Sequence, residues 1–432
     1  MNRLHRCLGA ALTLLTLATG HARADDALVV MTSYPEAVVN QFEAAFAKRH
    51  PEYPITIRWR MPDDALATLQ SPDHGGIDVY WSPATRNFAA LAVAGALQRL
   101  TLDRQVLPRS IGTFPIADAQ DRYTASEIAG YGLFVNADYL TRHRLPEPHD
   151  WQDLAAPAFA GHVAFPVPAR IGYAPMLVEG WLQVYGWEAG WTLVSELAAG
   201  ARLVDRRGNF ITDEVSSGRA GVGLTMDFFA ASALAGGAPG RFVYPAPVFY
   251  NPAHIGILAG APHPEAARAF VDFVLSDEGQ RLLFHPDIRK LPVRPAVYAD
   301  APAGYHNPFT VPAAAYDLAL GDARRDVDAA LFEVAITHRK AQLAALWQAL
   351  HEAEAKAPSP ARLARLAQAR RLLGAMPVDA DQARDPALQS AAAGCIGSLD
   401  AAPDCAALEA RWGSFFDANY SRAEQLVESA AP

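Results

Sequence analysis

The 432-residue sequence has only three cysteines and no block of consecutive lysines and arginines. It contains no Gly-x-Ser-x-Gly elbow, no His-Glu-x-x-His pair, no Walker loop and no Gly-x-Gly-x-x-Gly after a strand. The common hydrolase, zinc-protease and nucleotide-binding chemistries therefore have no motif to stand on, and the expectation is a protein that is not an enzyme and carries no cofactor. His254, His263 and His285 lack metal-ligand spacing. No stretch beyond the amino terminus is apolar over the ~20 residues that a membrane span needs. Acids outnumber bases, 46 to 37, for a net charge of −9. Such a balance argues against nucleic acid or an anionic membrane as partner, although a local pocket can still hold an anion.

What is present begins with a secretion signal. Arg3 and Arg6 precede the apolar run LGAALTLLTLATG, and Ala22-Arg23-Ala24 has the small-x-small pattern of a signal-peptidase site. The mature chain is expected to start at Asp25, and losing the leader's three arginines takes its net charge to −12. Cys7 lies before the apolar run, not after it in a lipid-attachment context, so the expectation is a soluble periplasmic protein. The remaining cysteines, Cys395 and Cys405, would form a disulfide in an oxidising compartment. A zinc site is disfavoured there, because neither belongs to a Cys-x-x-Cys pair and no histidine lies between them.

Along the mature chain, two strand–Ser/Thr–Pro–helix units occur close together. ALVVMTSYP opens a helix to about Lys48, with Ser33 and Glu36 at capping-box spacing, and IDVYWSP opens one to about Leu97, with Ser82 as cap. PITIRWR, 54–60, reads as the strand between them. The pattern indicates an α/β sheet whose strand ends carry helix amino termini. Ala266, Phe270, Phe273 and Val274 recur at helical spacing, and Ser276 separates that helix from the next.

This last segment, PEAARAFVDFVLSDEGQ followed by LPVRP, resembles the late region of ABC-transporter solute-binding proteins. The likeness continues in order through Tyr131-Gly132 to Asn136, then Pro148, Trp151, Asp153 and Leu154, then Pro157 and Gly161, and then GRAGVGLTMDFFA. That order is similar to the iron/thiamine/phosphonate-type binding proteins, and in overall segment order and length to the phosphoglycerate-transport regulatory type. The resemblance covers about residues 27–300. It implies a two-lobe, class II periplasmic-binding-protein fold: residues 1–24 as signal peptide, 25–120 plus 245–310 as lobe 1, and 121–244 as lobe 2. Residues 311–432 form a C-terminal α-helical extension beyond the resemblance, with Phe332, Ile336, Leu343, Trp347 and Leu350 on one stripe. The extension either braces the lobes or docks a membrane partner.

Ligands of open α/β sheets collect where strands end and helix amino termini expose N–H groups. Thr32, Ser33, Tyr34 and Ser82 fit that description, although capping alone would explain the serines. From lobe 2, Arg170, Ile171, Gly172 and Tyr173 precede a helix, and Arg170 could clamp an anion or simply form a surface ion pair. Arg206, Arg207 and Asn209 are weaker candidates. Asp227, at a strand exit in apolar surroundings, suits a ligand ammonium or a backbone cap. Tyr250, Asn251 and His254 lie where the chain returns to lobe 1. Iron-binding members of the group use adjacent tyrosines; this sequence has no Tyr-Tyr pair, and Phe228-Phe229 stands in that region. The expectation is a monomeric ABC-importer receptor for a small organic anion (phosphorylated, phosphonate or carboxylate), handing it to permease transmembrane subunits. The alternatives are a ligand-sensing regulator docking on a membrane sensor kinase and, less favoured, an Fe(III)-binding protein.

Overall fold

The structure, a computed structural model, describes residues 27–205, 211–356, 359–396 and 403–430. The signal-peptide reading and the candidates Arg206, Arg207 and Asn209 lie outside the described residues.

The first half-sheet is built by β1 (Leu28–Thr32), β2 (Ile55–Trp59) and β3 (Val79–Ser82), with α1 (Glu36–Arg49), α2 (Pro62–Leu69) and α3 (Thr85–Val93) following in turn. β1 pairs in parallel with both neighbours, so the carboxyl ends of all three strands share one edge. A small hairpin of β4 (Ser110–Ile111) and β5 (Phe114–Pro115) leads to β6 (Thr124–Val135), whose 12 residues are all buried. After α4 (Ala137–His143) come β7 (Val163–Pro166), α5 (Ala174–Tyr185), α6 (Trp187–Gly200), β8 (Arg202–Val204), α7 (Ile211–Ser216), β9 (Val222–Met226) and α8 (Asp227–Ala235). β10 (Arg241–Val243) and β11 (Tyr250–Ile257) return the chain to the first half, which α9 (Pro264–Leu275) and α10 (Asp277–Leu282) complete.

The strand order is β2-β1-β3-β11-β6-β9-β7-β8. β6 is the element that joins the halves: its first part pairs with β11, Tyr250 opposite Gly130, and its second part with β9, Tyr131 opposite Met226. The switch falls at Gly130, where a Cβ would come within 2.6 Å of the Tyr244 ring and 3.2 Å of an Asp227 oxygen. Only glycine permits that approach.

Each half has its own core. In the first, Phe42, Phe46, Trp81 and Phe270 meet edge-on, with ring centroids 5.0 to 5.9 Å apart. The α9 stripe read from sequence, Ala266, Phe270, Phe273 and Val274, is buried against them. Ser276 caps α10 by accepting from Gly279 N at 3.1 Å. In the second half the core does not stop at the sheet. It runs from Trp151, Trp181 and Trp191 directly into the carboxyl-terminal helices.

Those helices are α11 (Leu318–Phe332), α12 (Lys340–Ala355), α13 (Pro360–Gly374), α14 (Pro386–Ala393) and α15 (Pro403–Ser429). The stripe Phe332, Ile336, Leu343, Trp347 and Leu350 is buried. It is not one helix, however: a π turn at Glu333–Thr337 separates α11 from α12, and the Tyr420 hydroxyl donates to the Ala335 carbonyl within it. Phe332 stacks on Phe165 of β7 at 5.4 Å. Trp347 Nε1 donates to Ser195 Oγ of α6 at 3.0 Å, and that hydroxyl donates on to the Leu373 carbonyl of α13 at 2.7 Å. Buried Arg324 and Asp328 of α11 meet buried Glu179 of α5, and burial together with the Glu179 charge holds the Asp328 carboxyl well above its usual range. Cys395 and Cys405 are disulfide-bonded, with their Cα atoms 5.2 Å apart. Among the described residues no helix is long and apolar enough to cross a membrane.

The connection into these helices also crosses between the halves. Ala314 N donates to the Val248 carbonyl at 2.8 Å, and Tyr316 packs in the first core. One residue further on, Asp317 N donates to Gln183 of α5 at 2.7 Å.

Candidate functional site

The carboxyl ends of β1 and β3 in one half, and of β7 and β9 in the other, carry the loops and helix starts that meet near the β6 switch. Ser33 and Ser82 were read from sequence as helix caps, and only Ser82 resembles one. The residue before α1 is Pro35, and the helix start has no side-chain cap. Ser33 Oγ instead lies 2.8 Å from Ser82 Oγ, tying the ends of β1 and β3 together, while Ser82 Oγ accepts from Ala84 N at 3.2 Å. Thr32 is buried and its hydroxyl accepts from Tyr34 N at 3.1 Å. The two hydroxyls of the serine pair thus stand beside the amino termini of α1 and α3, whose leading N–H groups have no intrahelical partners.

Tyr34 turns inward. Its ring packs on Trp81 at 4.6 Å, and its hydroxyl donates to Glu127 Oε1 at 2.7 Å. The same oxygen accepts from Lys290 Nζ at 2.7 Å. Lys290 and Glu127 are almost wholly buried, with side-chain exposures of 6% and 2%. The ammonium also lies 4.1 Å from the Phe228 ring centroid and 5.3 Å from that of Tyr34. Lys290 belongs to the first half and Phe228 to the start of α8 in the second, so this cation–π contact bridges the halves. Glu127 Oε2 is buried with no hydrogen-bond partner. Burial and the Glu127 charge push the Tyr34 hydroxyl well above its ordinary pKa.

Asp227 is fully occupied by the protein itself. Its Oδ2 accepts from Gly130 N at 2.7 Å and from the Tyr244 hydroxyl at 3.0 Å, and its Oδ1 accepts from Phe228 N at 2.7 Å. It therefore ties the start of α8, the β6 switch and the segment between β10 and β11 together. Burial raises its pKa to about 7, against the lowering effect of those donors and of Lys290. Next to it, Tyr244 stacks on His306 at 3.7 Å, and Tyr250 Oη lies 2.9 Å from His306 Nε2. Burial brings His306 down to about 4, so it is neutral at ordinary pH.

The remaining sequence candidates are placed as follows. Tyr173 donates its hydroxyl to the Leu224 carbonyl at 3.2 Å, while its own carbonyl accepts from the Tyr131 hydroxyl at 3.0 Å. Ile171 is half-buried, Gly172 and Arg170 are exposed, and Arg170 lies near enough to Glu333 of the extension to lower that carboxyl's pKa against its burial. Asn251 is half-buried on β11. His254 does not reach the junction: it is buried between Phe88 and Tyr123, and burial takes its pKa down to about 3.

Sequence reasoning did not pick out Glu127, Lys290, Tyr244 or His306. A lone carboxylate inside the apolar strand TASEIAGYGLFV was the available signal, since a buried charge demands a partner. Nothing local marks Lys290 as that partner 163 residues away.

A family model of bacterial extracellular solute-binding proteins matches residues 94–316. The chain is 32% identical over 284 residues to the phosphoglycerate transport regulatory protein PgtC of Salmonella typhimurium, covering 65% of this chain and 67% of that protein. Among solved structures it is similar to the periplasmic binding protein AfuA from Actinobacillus pleuropneumoniae, bound to exogenous fructose-6-phosphate. That match has a TM-score of 0.52 and 19% identity, and covers 68% of this chain and 89% of AfuA. Iron-bound HitA from Pseudomonas aeruginosa gives a TM-score of 0.54 at 19% identity, covering 66% of this chain and 92% of HitA. These two likenesses show a shared fold.

Proposed function

Because the chain belongs to the bacterial extracellular solute-binding protein family, we propose that it is the periplasmic receptor of an ABC importer for a small, hydroxylated organic anion, such as a phosphorylated or carboxylated three-carbon acid. On this reading lobe 1 is about 25–120 plus 245–310, and lobe 2 is about 121–244 with the helices of 311–432 packed onto it. The leader through Ala24 directs export, and the loaded protein delivers its ligand to permease transmembrane subunits.

The observation that carries the reading is the junction where Ser33 and Ser82 pair beside two helix amino termini and Lys290 bridges the halves. The hydroxyls and helix N–H groups suit anionic oxygens. Lys290 supplies a positive charge, and Glu127 Oε2 is an unfilled acceptor for a ligand hydroxyl. Thr32, Ser33, Tyr34 and Ser82 would contact the ligand from lobe 1, with Tyr250 and Asn251 at the crossover. Arg170, Ile171, Gly172, Tyr173 and Asp227 would approach it from lobe 2, Tyr173 and Asp227 mainly by positioning backbone. Ligand contacts to both lobes would favour the closed form over the open one. Fe(III) fits less well, since Tyr34, Tyr244 and Tyr250 have their hydroxyls committed and burial resists forming phenolates.

The test is calorimetric titration of the metal-stripped mature protein with 3-phosphoglycerate, phosphonates and simple carboxylates. Saturable binding that weakens by tenfold or more in Ser33→Ala/Ser82→Ala is the expected result, and binding indifferent to that pair would remove the junction from the site. A second reading, in which the loaded protein docks on a sensor kinase, is favoured by the regulatory role in the name of the PgtC relative. It predicts a signalling defect from substitutions on the exposed faces of α12 and α13 with uptake unchanged.

A further inference from the structure

Away from the junction, the segment 154–161, α6 and α12 stand apart around a groove of about 670 Å³. That volume is in the range of small-molecule sites, ~300–1,000 Å³. Ala156, Pro157 and Ala160 line it from the segment 154–161, Leu197 from α6, and Ala344 and Trp347 from α12. The groove is open to solvent on one side, and its lining is mostly apolar.

The two ends of the groove differ in charge. At one end Lys340, half-buried, donates to the Ala199 carbonyl in the last turn of α6 and has no ion-pair partner among the described residues. At the other end the acids are already engaged. Glu196 accepts from His351 and from Arg370, each at 2.6 Å, and Arg370 also binds Glu354 at 2.8 Å. Glu352, exposed on the rim, accepts from Gln348 at 3.0 Å. Lys340 and Glu352 are separated along α12 by about 18 Å at ~1.5 Å per residue. The groove therefore offers an elongated apolar wall with a lone cation at one end only. Capping the carboxyl terminus of α6 explains why a lysine is tolerated at 340. It does not account for the apolar groove beside it.

We propose that this groove is a second ligand site, for an amphipathic monoanion of the medium-chain carboxylate class, with the carboxylate on Lys340 and the chain lying along Ala344 toward His351. The site is independent of the junction and does not rest on the function proposed for it.

The probe is decanoate below its micelle concentration, titrated calorimetrically into the full mature chain, with decanol and decyltrimethylammonium as neutral and cationic controls. One-to-one binding is expected, with Lys340→Met weakening decanoate about tenfold, as loss of a charge-assisted contact would, while leaving decanol unchanged. Ala344→Trp and, from the opposite wall, Ala156→Phe should each abolish binding; a thermal melt of each variant shows which of them is folded and therefore decisive. Ser33→Ala/Ser82→Ala should leave decanoate affinity as it was. No saturable binding, equal binding of the cationic control, or indifference to Lys340→Met or to a folded filling variant would each overturn the proposal. Weakening by the serine pair would do so too, by placing the carboxylate in the junction.

Discussion

The helices beyond residue 310 share one core with the second half of the sheet, and truncating Trp347 measures how strongly. Trp347 is buried between α6 and α13. A buried tryptophan removes ~150–250 Å² from water, and ~25 cal/mol per Å² gives about 4–6 kcal/mol, close to the ~3–5 kcal/mol of large-to-alanine core substitutions. Against a total stability of ~5–15 kcal/mol, Trp347→Ala should remove about a fifth or more. Trp347→Phe should cost less, because the phenyl ring keeps much of the buried apolar area. A chain ending at Thr310 would expose Phe165, Trp191 and Leu197 together, and should not hold a folded second half. The assay is urea unfolding followed by far-ultraviolet circular dichroism, with limited proteolysis of the truncated chain. A loss below ~1 kcal/mol in Trp347→Ala, or a protease-resistant 25–310 chain with near full-length stability, would refute the shared core and leave the extension as a separable module.

Other outcomes follow from the buried charges. Asp227 holds its proton up to about pH 7 when folded and to about 3.8 when not, so its contribution to stability is greatest below pH 4 and is lost as pH rises to 7. The wild-type advantage over Asp227→Asn should shrink by up to ~4 kcal/mol across that window, measured as a difference because His254 and His306 titrate in the opposite sense; a pH-independent difference would contradict the raised pKa. Lys290→Met strands a buried carboxylate and should cost ~3–5 kcal/mol, while adding Glu127→Gln should recover much of it; additive losses in chemical denaturation would show that the pair is not coupled. Burial and the Glu179 charge favour the protonated form of the Asp328 carboxyl, so Asp328→Asn should cost less than Arg324→Met, which takes the buried guanidinium from Glu179 and should cost ~3 kcal/mol; equal losses by thermal melt would overturn that assignment.

Much of the scaffold was legible because it is local. The α9 stripe, the Ser276 cap and the two strand–Pro–helix units depend on residues a few positions apart and appear in the fold, although α3 starts at Thr85 and stops at Val93, short of the Leu97 expected. The caps at Ser33 and Ser82 were local readings too, and Ser33 departs from its reading because a residue 49 positions away offered its hydroxyl a partner. The π turn at Glu333–Thr337 was invisible, since the apolar stripe continues through it and Tyr420, which meets its Ala335 carbonyl, lies 85 positions away. The site was the least legible part. Glu127, Lys290, Phe228 and Tyr244 come together only through the β6 switch, and no spacing in the sequence encodes that meeting. Asp227 was read as suiting a ligand ammonium or a backbone cap, and its partners in the structure are backbone and a phenol of the protein itself.

The central claim is that the junction between the halves binds a small organic anion. It is tested most directly by calorimetric titration of 3-phosphoglycerate into the metal-stripped mature protein, with the paired serine variant alongside. A saturable one-to-one isotherm that is lost with Ser33→Ala/Ser82→Ala is predicted. Binding of Fe(III) with no response to any phosphorylated, phosphonate or carboxylate compound would contradict it.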